Sequence, residues 1–170
     1  MDTIFNRTTL EQLPSITVKA SVNYYKTFTS PNPDYNVSIF NTTDELVGTA
    51  IYAESPIFDR IYLFNIEVIQ RFQRKGYATA FLLYLAQTYR HPITAVKELH
   101  GASGFWNSAR KLSKVGVVVT EPLSVGDMND ESQRWQHLWH EAERLEKLIL
   151  ERLNILNEPW RIAVGRGLES

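Results

Sequence analysis

After the fourth strand-like run the hydrophobic period of this chain changes from two to about 3.6, and that change constrains the fold more than any other feature. After Ser15 the apolar positions Ile16, Val18, Ala20, Val22 and Tyr24 alternate with polar ones, as do Tyr35, Val37 and Ile39, and then Val47, Ile51 and Ala53. Each run predicts a half-buried strand. Residues 60–69 are almost continuously apolar or β-branched, the pattern of a central strand buried on both faces. Breakers separate the runs: Ser30-Pro31-Asn32-Pro33-Asp34, Asn41-Thr42-Thr43-Asp44-Glu45 and Pro56. Such short links imply an antiparallel meander. From Tyr77 to Tyr89 the apolar residues Ala78, Phe81, Leu82, Leu85 and Ala86 recur three and four apart, which predicts a helix stopped by His91-Pro92. Residues 93–96 then read as a short strand reached by a crossover, and therefore parallel to the fourth.

Further along, a helix is expected over 103–114, closing at Gly116, with a strand at 117–120 stopped by Pro122. Asp130-x-x-Gln133 resembles a capping box, and Trp135, Leu138, Ala142, Leu145, Ile149, Leu153 and Leu156 form one apolar stripe. A long amphipathic helix over 130–157 follows, ended by Pro159, with a last strand at 160–164. Before the first strand, residues 8–13 predict one capped turn of helix stopped by Pro14. The whole is an α/β (α+β mixed) chain: a mixed sheet flanked by helices, one domain over 1–170.

Composition narrows the function classes. A 44 % hydrophobic, 22 % charged chain is an ordinary globule, which excludes disordered and collagen-like classes. Eighteen Lys plus Arg against nineteen Asp plus Glu leave a net charge of −1, so no global field draws the chain to nucleic acid or anionic lipid. Any anion site must be local. The absence of cysteine removes disulfides, thiolate zinc sites and a cysteine nucleophile. No stretch reaches the roughly eighteen apolar residues of a membrane span, and the start, Met1-Asp2-Thr3-Ile4, lacks the basic, then apolar, order of a signal peptide. A cytoplasmic protein, with no membrane and no nucleic-acid partner, is expected. His137 and His140 stand three apart, but two imidazoles do not complete a metal shell, and no metal site is expected.

The segment that carries chemistry joins the buried fourth strand to the next helix: Val68-Ile69-Gln70-Arg71-Phe72-Gln73-Arg74-Lys75-Gly76-Tyr77-Ala78. A helix N-terminus has about four unpaired backbone N–H groups and a partial positive charge, so a turn with Gly76 and Ala78 lets an anion approach them. Arg71, Arg74 and Lys75 add cationic side chains. From physics alone this is a phosphate or pyrophosphate site of unspecified ligand.

Gln73-Arg74-Lys75-Gly76-Tyr77-Ala78 resembles the Gln/Arg-x-x-Gly-x-Gly/Ala signature of the GNAT superfamily of N-acetyltransferases. The wider family pattern is met by Val68, Phe72, Lys75, Gly76, Tyr77 and Ala78, with Gln70, Gln73 and Arg74 as substitutions. The family's later Tyr-x-Lys-x-Gly-Phe falls on Leu112-Ser113-Lys114-Val115-Gly116-Val117, and the resemblance spans residues 35–120. It implies a splayed sheet with acetyl-coenzyme A between the fourth and fifth strands. The Gln73–Ala78 signature would bind the cofactor, with the pyrophosphate on the backbone amides of Arg74, Lys75, Gly76, Tyr77 and Ala78. A backbone N–H between Ile66 and Val68 would polarise the thioester carbonyl for direct attack by an amine, small or macromolecular. No metal is implied.

Direct attack needs a proton acceptor. Glu67, in the apolar fourth strand beside the expected acetyl position, is the candidate base if it is partly buried. The acid that the resemblance implies, a Tyr on the second helix, is Leu112 here, and an alternative register places Phe105-Trp106 there. Between the first two strands, where most members have two helices, this chain has only residues 25–34. The acceptor side is expected to be open, or closed by the C-terminal helix or a second subunit. The alternative function is a catalytically silent member that binds or inhibits a partner protein through 130–157, a helix equally suited to a homodimer.

Overall fold

The computed structural model describes residues 12–96 and 103–169. Strands β1 (Thr17–Asn23), β2 (Asp34–Phe40), β3 (Leu46–Glu54) and β4 (Ile61–Val68) form the expected antiparallel meander. Helix α1 (Tyr77–Tyr89) then crosses to β5 (Ile93–Ala95), which pairs in parallel with β4. Sheet order follows chain order, β1-β2-β3-β4-β5. The β2–β3 turn shows why polar residues punctuate the strands. The Asn41 side-chain oxygen accepts hydrogen bonds from the backbone N–H groups of Thr43 and Glu45, so the turn supplies its own partners.

One core lies between the sheet and helices α1 and α2 (Ser103–Arg110). It joins Val37, Ile39, Ile61 and Leu63 of the strands to Phe81, Leu82 and Leu85 of α1 and Trp106 of α2. A second cluster lies on the other sheet face, where Tyr62 and Phe64 of β4 meet Phe28, Leu123, Met128 and Trp135. The strand expected to be buried on both faces is so at Ile61, Tyr62 and Leu63; from Phe64 onward it is only partly covered.

The C-terminal helix is a continuous helical run from Val125 to Asn154, with α3 (Met128–Ser132) and α4 (Trp139–Asn154) joined by a tighter 3-10 stretch. It bends at Trp135, whose φ of −122° and ψ of 29° leave the helical region so that its indole enters the second core cluster. The capping box sits earlier than Asp130: Ser124 and Asp127 exchange the reciprocal side-chain and backbone bonds that start the run. Leu145 and Ile149 of the predicted stripe pack internally with Val164.

Two expectations are corrected. Residues 160–164 are not a strand: Trp160–Ala163 is a short helix, α5. Pro159 starts it, and Ala163 and Val164 turn inward toward α4 because their three-and-four spacing from Trp160 suits a helix rather than an alternating edge. Buried Arg152 fastens α5 by donating to the Ala163 and Glu169 carbonyls. The strand expected at 117–120 is reduced to isolated parallel bridges, Ile93 to Val119 and Val96 to Leu123, because Pro122 interrupts the donor row. The turn expected over 8–13 lies outside the described residues except for Gln12 and Leu13. No helix among the described residues is long and apolar enough to cross a membrane.

Candidate functional site

Beyond β4 the chain keeps one more ladder bond, Ile69 N–H to Val47 carbonyl at 2.8 Å, and then turns. Phe72 anchors the turn: its ring is buried in the main core and meets Tyr77 edge-on at 5.9 Å. Gln73 braces it by donating its side-chain amide to the Val68 carbonyl at 2.9 Å. Arg74 (φ 63°) and Gly76 (φ 90°) both adopt left-handed backbone, an uncommon conformation for a side-chain-bearing residue such as Arg74. Strain of this kind clusters at ligand clamps.

Gly76 is the N-cap of α1, and no side chain caps it; the first helical bond runs from Ala80 N–H to the Gly76 carbonyl at 2.9 Å. The N–H groups of Tyr77, Ala78 and Thr79 therefore have no partner within the helix, and the first turn holds no acidic residue to offset its dipole. A Cβ on Gly76 would lie 3.0 Å from Leu13 Cδ2 and 3.2 Å from Pro14 Cδ. The glycine is thus required by its backbone conformation and by the segment before β1 lying against it.

The three basic residues of the turn are exposed. Arg71 pairs with Glu45 at 3.3 Å and lies over the Phe72 ring at 4.7 Å, and Lys75 lies over the same ring at 5.8 Å. Hydrogen bonds from Asn41 and Thr43, and then the Arg71 and Lys75 charges, hold the Glu45 carboxyl below its usual range. The aromatic base keeps two of the three cations beside the helix entrance.

Val96 N–H donates to the Leu63 carbonyl at 3.0 Å, the last bond across β4 and β5 among the described residues, while a bulge leaves Phe64 without a partner on β3. The bulge shifts the alternation. Because Ile69 faces β3, the peptide groups of Ile66 and Val68 point away from it, toward the side where β4 has no strand partner among the described residues. The Val68 carbonyl on that side is the one taken by Gln73. At the far end Gly48 makes the close approach: a Cβ there would sit 2.5 Å from the Glu67 carbonyl.

Ile66 and Val68 pack on the α1 face, so Glu67 projects from the other face, where it is exposed beside Thr49 rather than partly buried. Leu112 and Phe105 pack against the main core and Trp106 is buried in it, so neither register supplies a hydroxyl. Tyr84 stacks on Phe81 at 5.8 Å.

The sheet face opposite α1 is covered at Tyr62 and Phe64 by the C-terminal run. The Tyr62 hydroxyl and the guanidinium groups of Arg60 (3.2 Å) and Arg134 (2.8 Å) all donate to Glu131, and Arg134 also pairs with Asp59. Burial, followed by the Glu131 carboxylate, pushes the Tyr62 hydroxyl well above its usual range. The network pins α3 to β4. Beside it lies a cavity of about 660 Å³, open on one side, with Phe28, Gln133, Trp135, His137, Trp139 and His140 among its lining residues. No spacing rule could have found it, because residues 27–30 and 129–142 meet only through the fold. The paired imidazoles line this cavity, and no group of three or more His, Cys, Asp or Glu among the described residues is placed to hold a metal ion.

A family model described as the acetyltransferase (GNAT) family matches residues 2–110. No curated protein and no solved structure matches the chain.

Proposed function

The chain belongs to the GNAT family of acetyltransferases, and from that premise we propose that it binds acetyl-coenzyme A and transfers the acetyl group directly to an amine. The observation that carries this reading is the uncapped, left-handed entrance to α1 beside the stretch of β4 that has no strand partner on that side among the described residues. Backbone donors at Arg74, Lys75, Gly76, Tyr77 and Ala78 suit a pyrophosphate, since fixed amides at a helix start hold an anion with no reorganisation on binding. Gln73 acts one step back, keeping the turn closed against Val68. The Ile66 and Val68 peptide groups are the donors suited to a thioester oxygen, as they point to the open side of β4.

In the reaction the amine nitrogen forms its bond to the acetyl carbon as the carbon–sulfur bond breaks, and the nitrogen sheds one proton. Glu67, although exposed rather than partly buried, is the acceptor for that proton, through water, by its place on β4 between Ile66 and Val68. With Leu112 in the place of a tyrosine, the thiolate takes its proton from solvent. The test is release of free coenzyme A thiol from acetyl-coenzyme A in the presence of a panel of amines. Amine-dependent release supports transfer, and its loss in Glu67→Gln assigns the base. A second reading, cofactor binding without turnover and a protein partner or second copy on the C-terminal run, is favoured by the exposed Trp139, Ile155, Leu156 and Trp160. It requires that no amine release thiol and that the purified chain associate.

A further inference from the structure

Helix α4 buries one face and leaves another exposed. Leu145, Ile149 and Arg152 are buried, and at 3.6 residues per turn they mark the side turned inward. Trp139, Glu143, Lys147 and Leu150 lie together on a side turned away from it, all of them exposed, Trp139 at 60 % and Leu150 at 36 %. We infer that this stripe is the interface with a second copy of the chain, the two α4 helices packing antiparallel about a two-fold axis level with Leu145. The inference stands on α4 alone and does not rest on the acetyl-transfer reading.

The stripe is self-complementary under that operation. In an antiparallel pair centred on Leu145, Glu143 of one copy stands level with Lys147 of the other, and Trp139 lies within about 1.5 Å, one residue's rise, of the level of Leu150. Symmetry makes each contact twice. Both charges are available: neither Glu143 nor Lys147 has an ion-pair partner among the described residues, whereas Glu146 already pairs with Lys26 at 3.6 Å. Sliding the second helix by one residue, so that Trp139 meets Leu150 directly, sets Glu143 against Glu146 of the second copy. Charge therefore selects the first register.

The order of the stripe is what favours a second copy over another occupant. Read forward it is apolar, acid, base, apolar; read backward it is apolar, base, acid, apolar, so a two-fold sets acid on base in the middle and apolar on apolar at both ends. A lipid surface would strip water from Glu143 and Lys147 and return no partner to either. Two Trp139 rings, one at each end, are the anchors, with the charge pairs fixing the register between them. A pair of sixteen-residue helices about 24 Å long stands at the small end of specific interfaces, so micromolar association is expected rather than an obligate dimer. The family match ends at residue 110, which leaves α4 in the part of the chain outside it.

The test is sedimentation equilibrium of the full chain over a concentration series, with thiol release measured separately on the same protein. The parent chain is expected to pass from monomer to dimer. Trp139→Ala should weaken that association about tenfold. Glu143→Lys or Lys147→Glu alone should weaken it about fivefold, since each sets like charges face to face twice. All three positions are exposed, so the core is spared. An equimolar mixture of the two charge variants should associate about as tightly as the parent, because each supplies the charge that the other lacks; a merely structural role for either residue predicts no such rescue. A chain that stays monomeric at millimolar concentration, or a mixture no tighter than its components, would overturn the interface. So would association indifferent to these variants but lost in Leu156→Ser, beyond the end of α4. Each of those results leaves the transfer reaction to be decided by thiol release alone, and a dimer that also shows amine-dependent release upholds both.

Discussion

The two faces of β4 are built by opposite means. On the α1 side one contiguous segment does everything: strand, bulge, anchored turn, left-handed Gly76 and helix follow one another between residues 61 and 89. On the other side nothing is contiguous, and the loop at 27–30, the β4 residues Tyr62 and Phe64 and the run 128–142 are brought together only by the fold. The first face presents backbone N–H groups at a helix start with no side-chain cap, while the second presents uncharged aromatic side chains. A surface made of peptide groups tolerates side-chain change, whereas one made of side chains does not.

The sharpest way to break the comparison is to release the second face alone. Glu131→Ala strips the acceptor from Tyr62, Arg60 and Arg134 at once, and it should lower unfolding stability by about 1–3 kcal/mol in urea titrations, the cost of leaving the buried Tyr62 hydroxyl and two partly exposed guanidinium groups without it. Acetyl-coenzyme A affinity should not change, because the turn lies across the sheet. Equal stability of variant and parent would mean that something other than this network holds the C-terminal run.

Gly76→Val attacks the first face. At φ 90°, with Leu13 Cδ2 at 3.0 Å and Pro14 Cδ at 3.2 Å from the new Cβ, the turn must shift, at about 1–3 kcal/mol of strain. Cofactor binding should weaken about tenfold to a hundredfold by calorimetry.

Much of the first face is legible in the amino-acid order, because its signals are local. The alternating runs mark β1 to β4, the three-and-four spacing marks α1, and Gly76 after a basic turn marks the left-handed start of that helix. What the amino-acid order hides is relational. Gln73 reads as a signature residue, but that its amide closes on the Val68 carbonyl depends on the bulge. Glu67 sits in an apolar run where partial burial is one reading, yet it is exposed because Ile66 and Val68 take the α1 face and turn it to the other. Trp135 reads as one more member of a helical stripe, and the bend that turns it into the second core cluster comes from tertiary packing that no period encodes. Residues 160–164 mislead for the same reason: a pentad with four apolar residues fits a strand or a turn of helix, and its contact with α4 decides.

Two smaller effects sharpen the contrast at the edges. Asp34, at the start of β2, is raised by burial from 3.8 to about 6, and its Oδ1 has no hydrogen-bond partner among the described residues. The folded chain keeps a proton that the unfolded chain has already lost between those values, so stability falls as pH rises from 3.8 to about 6 and stays lowered above it. Asp34→Asn should abolish that fall, worth about 1–2 kcal/mol after solvent screening, in denaturant titrations at pH values on either side of the window. Tyr52→Phe removes the 2.7 Å hydroxyl contact to Tyr89 that ties β3 to α1. It should cost about 1 kcal/mol, and a double variant with Tyr89→Phe should cost little more, since the two hydroxyls satisfy each other.

The most direct test of the central claim is calorimetric titration of the purified chain with acetyl-coenzyme A, its desulfo-acetyl form and adenosine. A backbone pyrophosphate site at the α1 entrance predicts saturable micromolar binding of both coenzyme A species and none of adenosine. Absence of binding at millimolar acetyl-coenzyme A, or adenosine binding as tightly, would contradict it.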